Sequence, residues 1–153
     1  MKAVVQRVSA SSVSVDGAVV GSIGRGYNVL LGVVPEDTER EADLLAAKIA
    51  KLRVFKDAEG RMNMSLSDVG GGVLVISQFT LCADIRKGNR PSFTTAAAPE
   101  RAEQLYEYFI KKLRDEGVQK VEHGSFGDDM KVEISNDGPV TIIMDTDIWL
   151  KKV

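Results

Sequence analysis

The stretch Val4–Ile23, VVQRVSASSVSVDGAVVGSI, decides the fold expected for this chain. The stretch is rich in valine, as β-strands are, and Asp16-Gly17 separates two valine-rich segments. An Asp-Gly pair between apolar segments is a strong hairpin signal, because both residues tolerate the positive φ values that tight hairpin turns require. We predict strands over residues 2–8, 11–15, 18–23 and 27–34. The first quarter of the chain is therefore expected to be mostly antiparallel β-sheet.

Two helices are predicted further along. Thr38 and Glu41 have the spacing of a capping box, and apolar residues repeat at helical intervals to about residue 52. Pro99 suits the first turn of a second helix, which has an apolar stripe and ends near Gly117.

Strands are also expected elsewhere. Val73–Phe79 has the apolar character of a buried strand, reached through a polar, flexible connection over residues 62–72. Strands near 130–135 and 139–145 close the chain. Strands outnumber helices, so we expect one compact α/β domain over residues 1–153, rich in β-structure, with helices packed on β-layers.

Composition excludes several function classes. The chain has 153 residues, 44% of them hydrophobic, and a formal net charge of −2, so any contact with nucleic acid must be local. One cysteine, Cys82, and one histidine, His123, exclude a disulfide framework and argue against a Cys/His metal site. A Ser-His-Asp arrangement is also disfavoured. A signal peptide and a membrane span are both missing from the sequence, so we expect a cytoplasmic protein.

The first candidate site is SQFTL, Ser77–Leu81, where the most apolar strand runs into a long loop. Polar Ser77, Gln78 and Thr80 stand at the carboxyl end of that strand, where α/β sheets tend to bind ligands. The alternative is that these residues merely end the strand and hydrogen-bond the turn.

The second candidate is SNDGPVT, Ser135–Thr141. Proline has no N–H for a sheet ladder and glycine weakens a strand, so Gly138-Pro139 marks a bend or a place where backbone is displayed. A tight turn between two strands is the alternative. Only about 5–6% of X-Pro bonds are cis, so the sequence alone does not establish the isomer.

The third candidate is the cluster Arg86, Lys87 and Arg90 with Phe93, inside the irregular segment 82–98. Cations and an aromatic ring on one loop suit phosphates and a stacked base. A solvated charged loop is the alternative. Asp128-Asp129 is interpreted as a turn rather than a metal site, and His123 as a surface residue. Cys82 is interpreted as a packing residue.

Five stretches together resemble the bacterial/eukaryotic-type D-aminoacyl-tRNA deacylase family, which includes D-tyrosyl-tRNA(Tyr) deacylase. They are AVVQRVSASSVSVDG at 3–17, RMNMSLSDVGG at 61–71, SQFTL at 77–81, KGNRPSF at 87–93 and FGDDMKVEISNDGPVT at 126–141. The resemblance implies an α/β domain with helices layered on two β-layers. It also implies a homodimer whose active sites lie at the subunit interface.

The implied activity is hydrolysis of the ester between a D-amino acid and the terminal adenosine of tRNA, without cofactor or metal. By resemblance, catalysis falls to Ser77, Gln78, Phe79 and Thr80, whose main-chain N–H groups hold the carbonyl oxygen while the 2′-OH of the RNA assists the attack. Gly138-Pro139 is expected to be cis and to enter the partner subunit's pocket, where it excludes L-amino acids but not glycine.

The remaining implied contacts concern the tRNA. Phe126 and Met130 are expected to flank the terminal base. Asn136 is expected to bind the substrate together with Gly138 and Pro139. Acceptor-stem phosphates are expected to contact Arg86, Lys87 and Arg90. Two rival functions stay open. One is an esterase that uses Thr80 as its nucleophile, and the other is a non-catalytic module that binds the acceptor end of tRNA.

Overall fold

The structure is a computed structural model that describes residues 1–150. Its strands are β1 (Lys2–Val15), β2 (Ala18–Ile23), β3 (Gly26–Gly32), β4 (Phe55–Lys56), β5 (Met62–Met64), β6 (Gly72–Ser77), β7 (Val121–His123) and β8 (Lys131–Asp145). Its helices are α1 (Glu39–Lys51), α2 (Leu66–Val69), α3 (Pro99–Asp115) and α4 (Asp147–Leu150), with a 3-10 turn over Phe79–Cys82.

Six strands form one mixed sheet in the order β2-β1-β3-β6-β7, with β8 paired to β1, while β4 and β5 form a separate hairpin. The long strand β1 pairs with β3 over its first half and with β2 over its second half, and β8 runs antiparallel beside both halves. The pairs β3/β6 and β6/β7 are parallel. The strand β1 is therefore the spine of the sheet.

The sheet folds over itself near the middle of β1, where the buried side chains of this strand pass from one hydrophobic core to another. Ala3 and Val5 lie in the larger hydrophobic core, but Val8 and Val13 lie in a smaller one. The β1/β8 register shifts on both sides of Val8, as at a β-bulge, which bends a strand and re-aims its side chains. The bend brings the second half of β1 and the first half of β8, with β2, across one face of the central strands.

The strand β6 shows the layering, since Val73 and Val75 enter the larger core and Leu74 and Ile76 the smaller one. Side chains from α1 and α3, such as Leu45 and Phe109, are buried only in the larger core. The order of layers is therefore helices, β-layer, β-layer. The expected α/β architecture with helices on two β-layers is confirmed.

Both predicted helices are confirmed. Thr38 and Glu41 form the expected capping box, in which the Thr38 N–H donates to a Glu41 carboxylate oxygen at 2.7 Å. Pro99 begins α3. No helix within residues 1–150 combines the length and the apolar character needed to cross a bilayer.

Several predicted boundaries were wrong. Residues 2–15 form one strand, as do residues 131–145, because a bulge bends a strand without ending its pairing. The connection over 62–72 contains β5 and α2, and the strand predicted to reach Phe79 ends at Ser77. The strand β7 was not predicted, because three residues are too few to show an alternating pattern.

Candidate active site

A cleft of about 590 Å³ opens at the carboxyl end of β6. Its walls come from the end of β6, the 3-10 turn, residues 93–97, the start of α3 and residues 126–132. Five of the predicted site residues line it: Ser77, Gln78, Phe79, Phe126 and Met130. The structure thus brings together segments almost fifty residues apart in sequence.

The end of β6 presents main chain to this cleft. The Gln78 N–H donates to the carbonyl oxygen of Leu31 at 2.8 Å, which continues the pairing with β3. The chain then turns into the 3-10 turn at Phe79, and the first N–H groups of such a turn have no acceptor within it. The Gln78 side-chain amide donates to the Thr80 hydroxyl. Donors therefore cluster where the strand ends.

The opposite wall is held by buried contacts. The Tyr106 hydroxyl lies 3.2 Å from the carbonyl oxygen of Val75 and 3.4 Å from that of Gly124, and burial raises the pKa of this phenol well above its usual value. The rings of Tyr106 and Phe126 pack at 5.7 Å. The sulfur of Met130 accepts from the Ser125 N–H at 3.3 Å. Phe126 and Met130 are thereby fixed in the wall.

The carboxylates of the wall lie at Asp128 and Asp129, in the turn that the sequence predicted. Asp128 accepts a hydrogen bond from the Ser125 hydroxyl. No group of metal-ligating side chains is found among residues 1–150. His123 is exposed and lines a different groove, and Cys82 is buried, with a pKa raised by that burial. The titratable side chains of the cleft lining are therefore Asp128, Asp129 and Tyr106, and the histidine is not among them.

Gly138-Pro139 lies within the continuous strand β8, so the alternative of a tight turn between two strands is wrong. The bond is cis, and Asp137, Gly138 and Pro139 are all exposed. The neighbouring Asn136 amide donates to the carbonyl oxygens of Arg7 at 3.1 Å and Val140 at 3.0 Å. This segment, residues 137–139, is called the tip below. The tip does not line the cleft.

Arg7 is the site residue that sequence reasoning missed. Its side chain is only 4% exposed, its Nε donates to the Asp137 carbonyl oxygen at 3.2 Å, and its Nη1 donates to the Val54 carbonyl oxygen at 2.6 Å. One feature of the sequence could have identified it: Arg7 stands among valines, at a position of β1 where the alternation of side chains predicts a buried residue. The guanidinium therefore supports the tip from behind.

The basic loop is irregular, as predicted, and is closed by an isolated β-bridge. Asp84 and Ser92 exchange backbone hydrogen bonds of 2.7 and 2.9 Å, so residues 85–91 form the end of a small hairpin. The Arg86 guanidinium pairs with the Asp84 carboxylate at 2.9 and 2.7 Å and lowers the pKa of Asp84 to about 2. Arg86, Lys87 and Arg90 are exposed and lie outside the cleft lining, whereas Phe93 reaches the lining beside Phe79.

Comparisons with known proteins agree closely. The sequence model of the family described as D-Tyr-tRNA(Tyr) deacylase matches residues 4–145. A protein of Ruegeria pomeroyi named D-aminoacyl-tRNA deacylase is 59% identical over 145 residues, covering 95% of this chain and 99% of the relative. One of the same name from Anaeromyxobacter dehalogenans is 58% identical over 146 residues, covering 95% and 97%.

Two solved structures share the fold. One, titled c-Myc DNA Unwinding Element Binding Protein, is 45% identical, with a TM-score of 0.89 and coverage of 95% of this chain and 98% of the other. The other, described as a probable eukaryotic D-amino acid tRNA deacylase, has a TM-score of 0.80 and covers 94% and 97%. At 18% identity, the second likeness concerns the fold alone.

Proposed function

The chain belongs to the D-Tyr-tRNA(Tyr) deacylase family. From this premise we propose how its cleft hydrolyses the ester of a D-aminoacyl-tRNA and excludes the L enantiomer. The activity itself, that of a hydrolase named D-aminoacyl-tRNA deacylase, is supported by relatives that match over almost the whole chain. The products are free D-amino acid and tRNA. The proposal concerns the residues and the chemistry.

The cleft receives the terminal aminoacyl-adenosine. A volume of about 590 Å³ is within the range of pockets that enclose one small-molecule ligand. Phe126 and Met130 present a ring and a polarisable sulfur that suit the two faces of adenine. The ester carbonyl then lies beside Gln78–Thr80.

Main-chain donors stabilise the oxyanion. Attack on an ester develops negative charge on the carbonyl oxygen, and preorganised N–H groups aimed at that oxygen lower the barrier. The N–H groups of Phe79 and Thr80, at the start of the 3-10 turn, are assigned this role. Ser77 and Gln78 position the ester, since the Gln78 amide is both a donor and an acceptor.

The terminal 2′-OH of the RNA assists the attacking water. General-base catalysis needs a titratable group within reach of the water. The histidine of this chain lies outside the cleft, and of the two carboxylates in the lining, Asp128 accepts a hydrogen bond from the Ser125 hydroxyl. Tyr106, with its raised pKa, stays protonated. A substrate hydroxyl next to the ester supplies a polar group at the reacting bond itself, and correct positioning supplies most of the acceleration.

The tip acts in the partner subunit. In a homodimer, the exposed Gly138-Pro139 of one subunit enters the cleft of the other and places its carbonyl oxygens where an L side chain would have to lie. Rejection is then steric and independent of the chemistry of the D side chain. Glycine has no side chain to reject, so glycyl-tRNA is also hydrolysed. Asn136 fixes the start of the tip through its two backbone acceptors.

The tRNA body contacts the basic hairpin. Arg86, Lys87 and Arg90 meet acceptor-stem phosphates, and the small number of cations predicts a shallow dependence of binding on salt. The compartment is the cytoplasm, where aminoacyl-tRNA is used. A Thr80 nucleophile is the less favoured chemistry, because the group that contacts its hydroxyl is an amide, which is not a base.

The observation that carries the proposal is the cleft at the end of β6, bordered by the start of the 3-10 turn, in a chain of this family. The test is incubation with D- and L-tyrosyl-tRNA side by side, following release of free tyrosine. Selective release from the D substrate is expected. Equal release from both would overturn the chiral role of the tip, and binding without release would favour the tRNA-binding module.

A further inference from the structure

We propose that the exposed ring pair Phe79–Phe93, at the mouth of the cleft, stacks the base of the nucleotide that precedes the terminal adenosine. The inference rests on the proposed function, which places that adenosine inside the cleft. It adds a second nucleotide subsite, outside the catalytic one. The ligand class is an unpaired RNA 3′ end of at least two nucleotides.

The two rings are exposed enough to stack on a ligand. Phe79 is 55% and Phe93 39% exposed, although both line the cleft. Their centroids are 5.0 Å apart with an interplanar angle of 72°, so the edge of one ring meets the face of the other. Edge-to-face packing leaves ring faces open to a third aromatic group. A nucleic-acid base has a π-face of the required kind.

The pair is preorganised by the backbone on both sides. Phe79 begins the 3-10 turn at the end of β6. Phe93 follows Ser92, which exchanges backbone hydrogen bonds with Asp84, and its carbonyl oxygen accepts from the Ala96 N–H at 3.1 Å. Rings held in this way lose little conformational entropy when a base stacks on them.

The size of the cleft places the second nucleotide outside it. About 590 Å³ is enough for one aminoacyl nucleoside, so the preceding nucleotide must leave through the mouth. The loop that ends in Phe93 also bears Arg86, Lys87 and Arg90, in a chain whose formal net charge is −2. Cations beside aromatic rings are the combination that binds single-stranded nucleic acid. This local charge favours RNA over an apolar protein segment as the occupant.

The experiment compares three esters of D-tyrosine, attached to adenosine, to the dinucleotide CpA, and to a CpA analogue whose first position is abasic. Stacking contributes about 1–3 kcal/mol per base, which corresponds to about 5- to 150-fold in kcat/KM. We expect the wild type to favour the CpA ester over the adenosine ester by that factor. The abasic analogue should lose the advantage, and a uracil in place of cytosine should keep most of it.

Variants of Phe93 identify the ring. In Phe93→Ala, the CpA-to-adenosine ratio should fall toward one, and Phe93→Tyr should retain the wild-type ratio. The control is Val19→Ala, which changes another exposed apolar side chain, 64% exposed on β2, and should retain the ratio too. Circular dichroism and sedimentation of each variant report folding and subunit association.

The outcomes separate the two proposals. A wild-type ratio near one, with the adenosine ester still hydrolysed, overturns the second subsite and leaves the proposed function standing. Failure to hydrolyse the adenosine ester at all contradicts the placement of the terminal nucleoside in the cleft. An unchanged ratio in Phe93→Ala, or dissociation of its subunits, assigns the ring to another role and also overturns the inference.

Discussion

The buried guanidinium of Arg7 donates from Nε to the backbone carbonyl oxygen of Asp137 at 3.2 Å, across 130 residues of sequence. The same guanidinium reaches the Val54 carbonyl oxygen at 2.6 Å, and its charge lies 3.4 Å from the Asp137 carboxylate. One side chain therefore links the N-terminal strand, the segment between α1 and β4, and the tip. The tip is exposed to solvent, but its backbone is fixed by a buried side chain.

Replacing Arg7 should loosen the tip. In Arg7→Lys the charge stays, but an ammonium cannot reproduce the planar fork that reaches two carbonyl groups. Losing one charged hydrogen bond costs about 1.5–3 kcal/mol, so kcat/KM for D-tyrosyl-tRNA should fall by roughly tenfold or more. The D-to-L preference should fall as well. Steady-state kinetics on both enantiomers measure the two effects.

The matched control is Arg40→Lys, because Arg40 is exposed in the first turn of α1. It should leave both enantiomers unaffected. Wild-type kinetics in Arg7→Lys, measured at the same protein concentration as the wild type, would contradict the supporting role of the guanidinium.

Gly138 should not tolerate a side chain. Its φ of +123° disfavours any L residue, and a Cβ there would lie 2.8 Å from Nη2 of Arg7 and 3.0 Å from a methyl group of Val140. Gly138→Ala must therefore move either the tip or Arg7. We expect D-tyrosyl-tRNA deacylation to fall at least ~10-fold, measured as single-turnover release of tyrosine, because productive geometry is lost.

Gly60→Ala is the comparison for backbone strain alone. Gly60 has a φ of +79°, but its Cβ would meet nothing within 4 Å. This variant should lose about 1–2 kcal/mol of unfolding free energy and keep its activity. If Gly138→Ala behaved as Gly60→Ala does, the tip would have no part in the reaction.

The sequence predicted the helices and the cleft better than it predicted the tip. The capping box of Thr38 and Glu41 and the stripe of α3 are local patterns, and local patterns determine helices. Ser77 and Gln78, which line the cleft, were predicted because polar residues at the end of an apolar strand form a local pattern, whereas Phe79 followed from the family resemblance. These features depend on neighbours in sequence.

Arg7 and the continuity of β8 depend on distant neighbours. Gly138-Pro139 is typical of the end of a strand. In the structure, however, β1 pairs with β8 on both sides of this dipeptide, so the strand continues. Alternation along β1 indicates that Arg7 points inward, but its acceptors, at residues 54 and 137, are distant in sequence. Tertiary contacts of this kind leave no periodic signal, so propensity alone gives the wrong boundary.

The basic hairpin should keep its ion pair far into the acid range. Pairing with Arg86 lowers the pKa of Asp84 to about 2. A carboxyl whose folded pKa is depressed contributes stability above its unfolded pKa, near ~3.9, and loses that contribution as the pH falls through the folded value. The order of the hairpin should thus persist at pH 4 and decline toward pH 2.

Carbon-13 chemical shifts of the Asp84 carboxyl measure this directly. The wild-type midpoint should lie near pH 2, and Arg86→Ala should move it up toward the ordinary value for aspartate. Lys87→Ala leaves the pair intact and is the control. An ordinary midpoint in the wild type would mean that Arg86 is free in solution rather than held by Asp84.

Thr80 should prove a positioning residue and not a nucleophile. Its hydroxyl accepts a hydrogen bond from the Gln78 amide, which does not remove a proton. Thr80→Ala should therefore keep deacylation within about tenfold of the wild type, whereas loss of a true nucleophile costs about 10⁶-fold in a serine protease. Thr80→Ser retains the hydroxyl and is the matched control. Acid-quenched single turnovers, followed by intact-mass measurement, look for a tyrosyl adduct on the protein, and an adduct that disappears in Thr80→Ala would replace the proposed direct attack of water with a covalent mechanism.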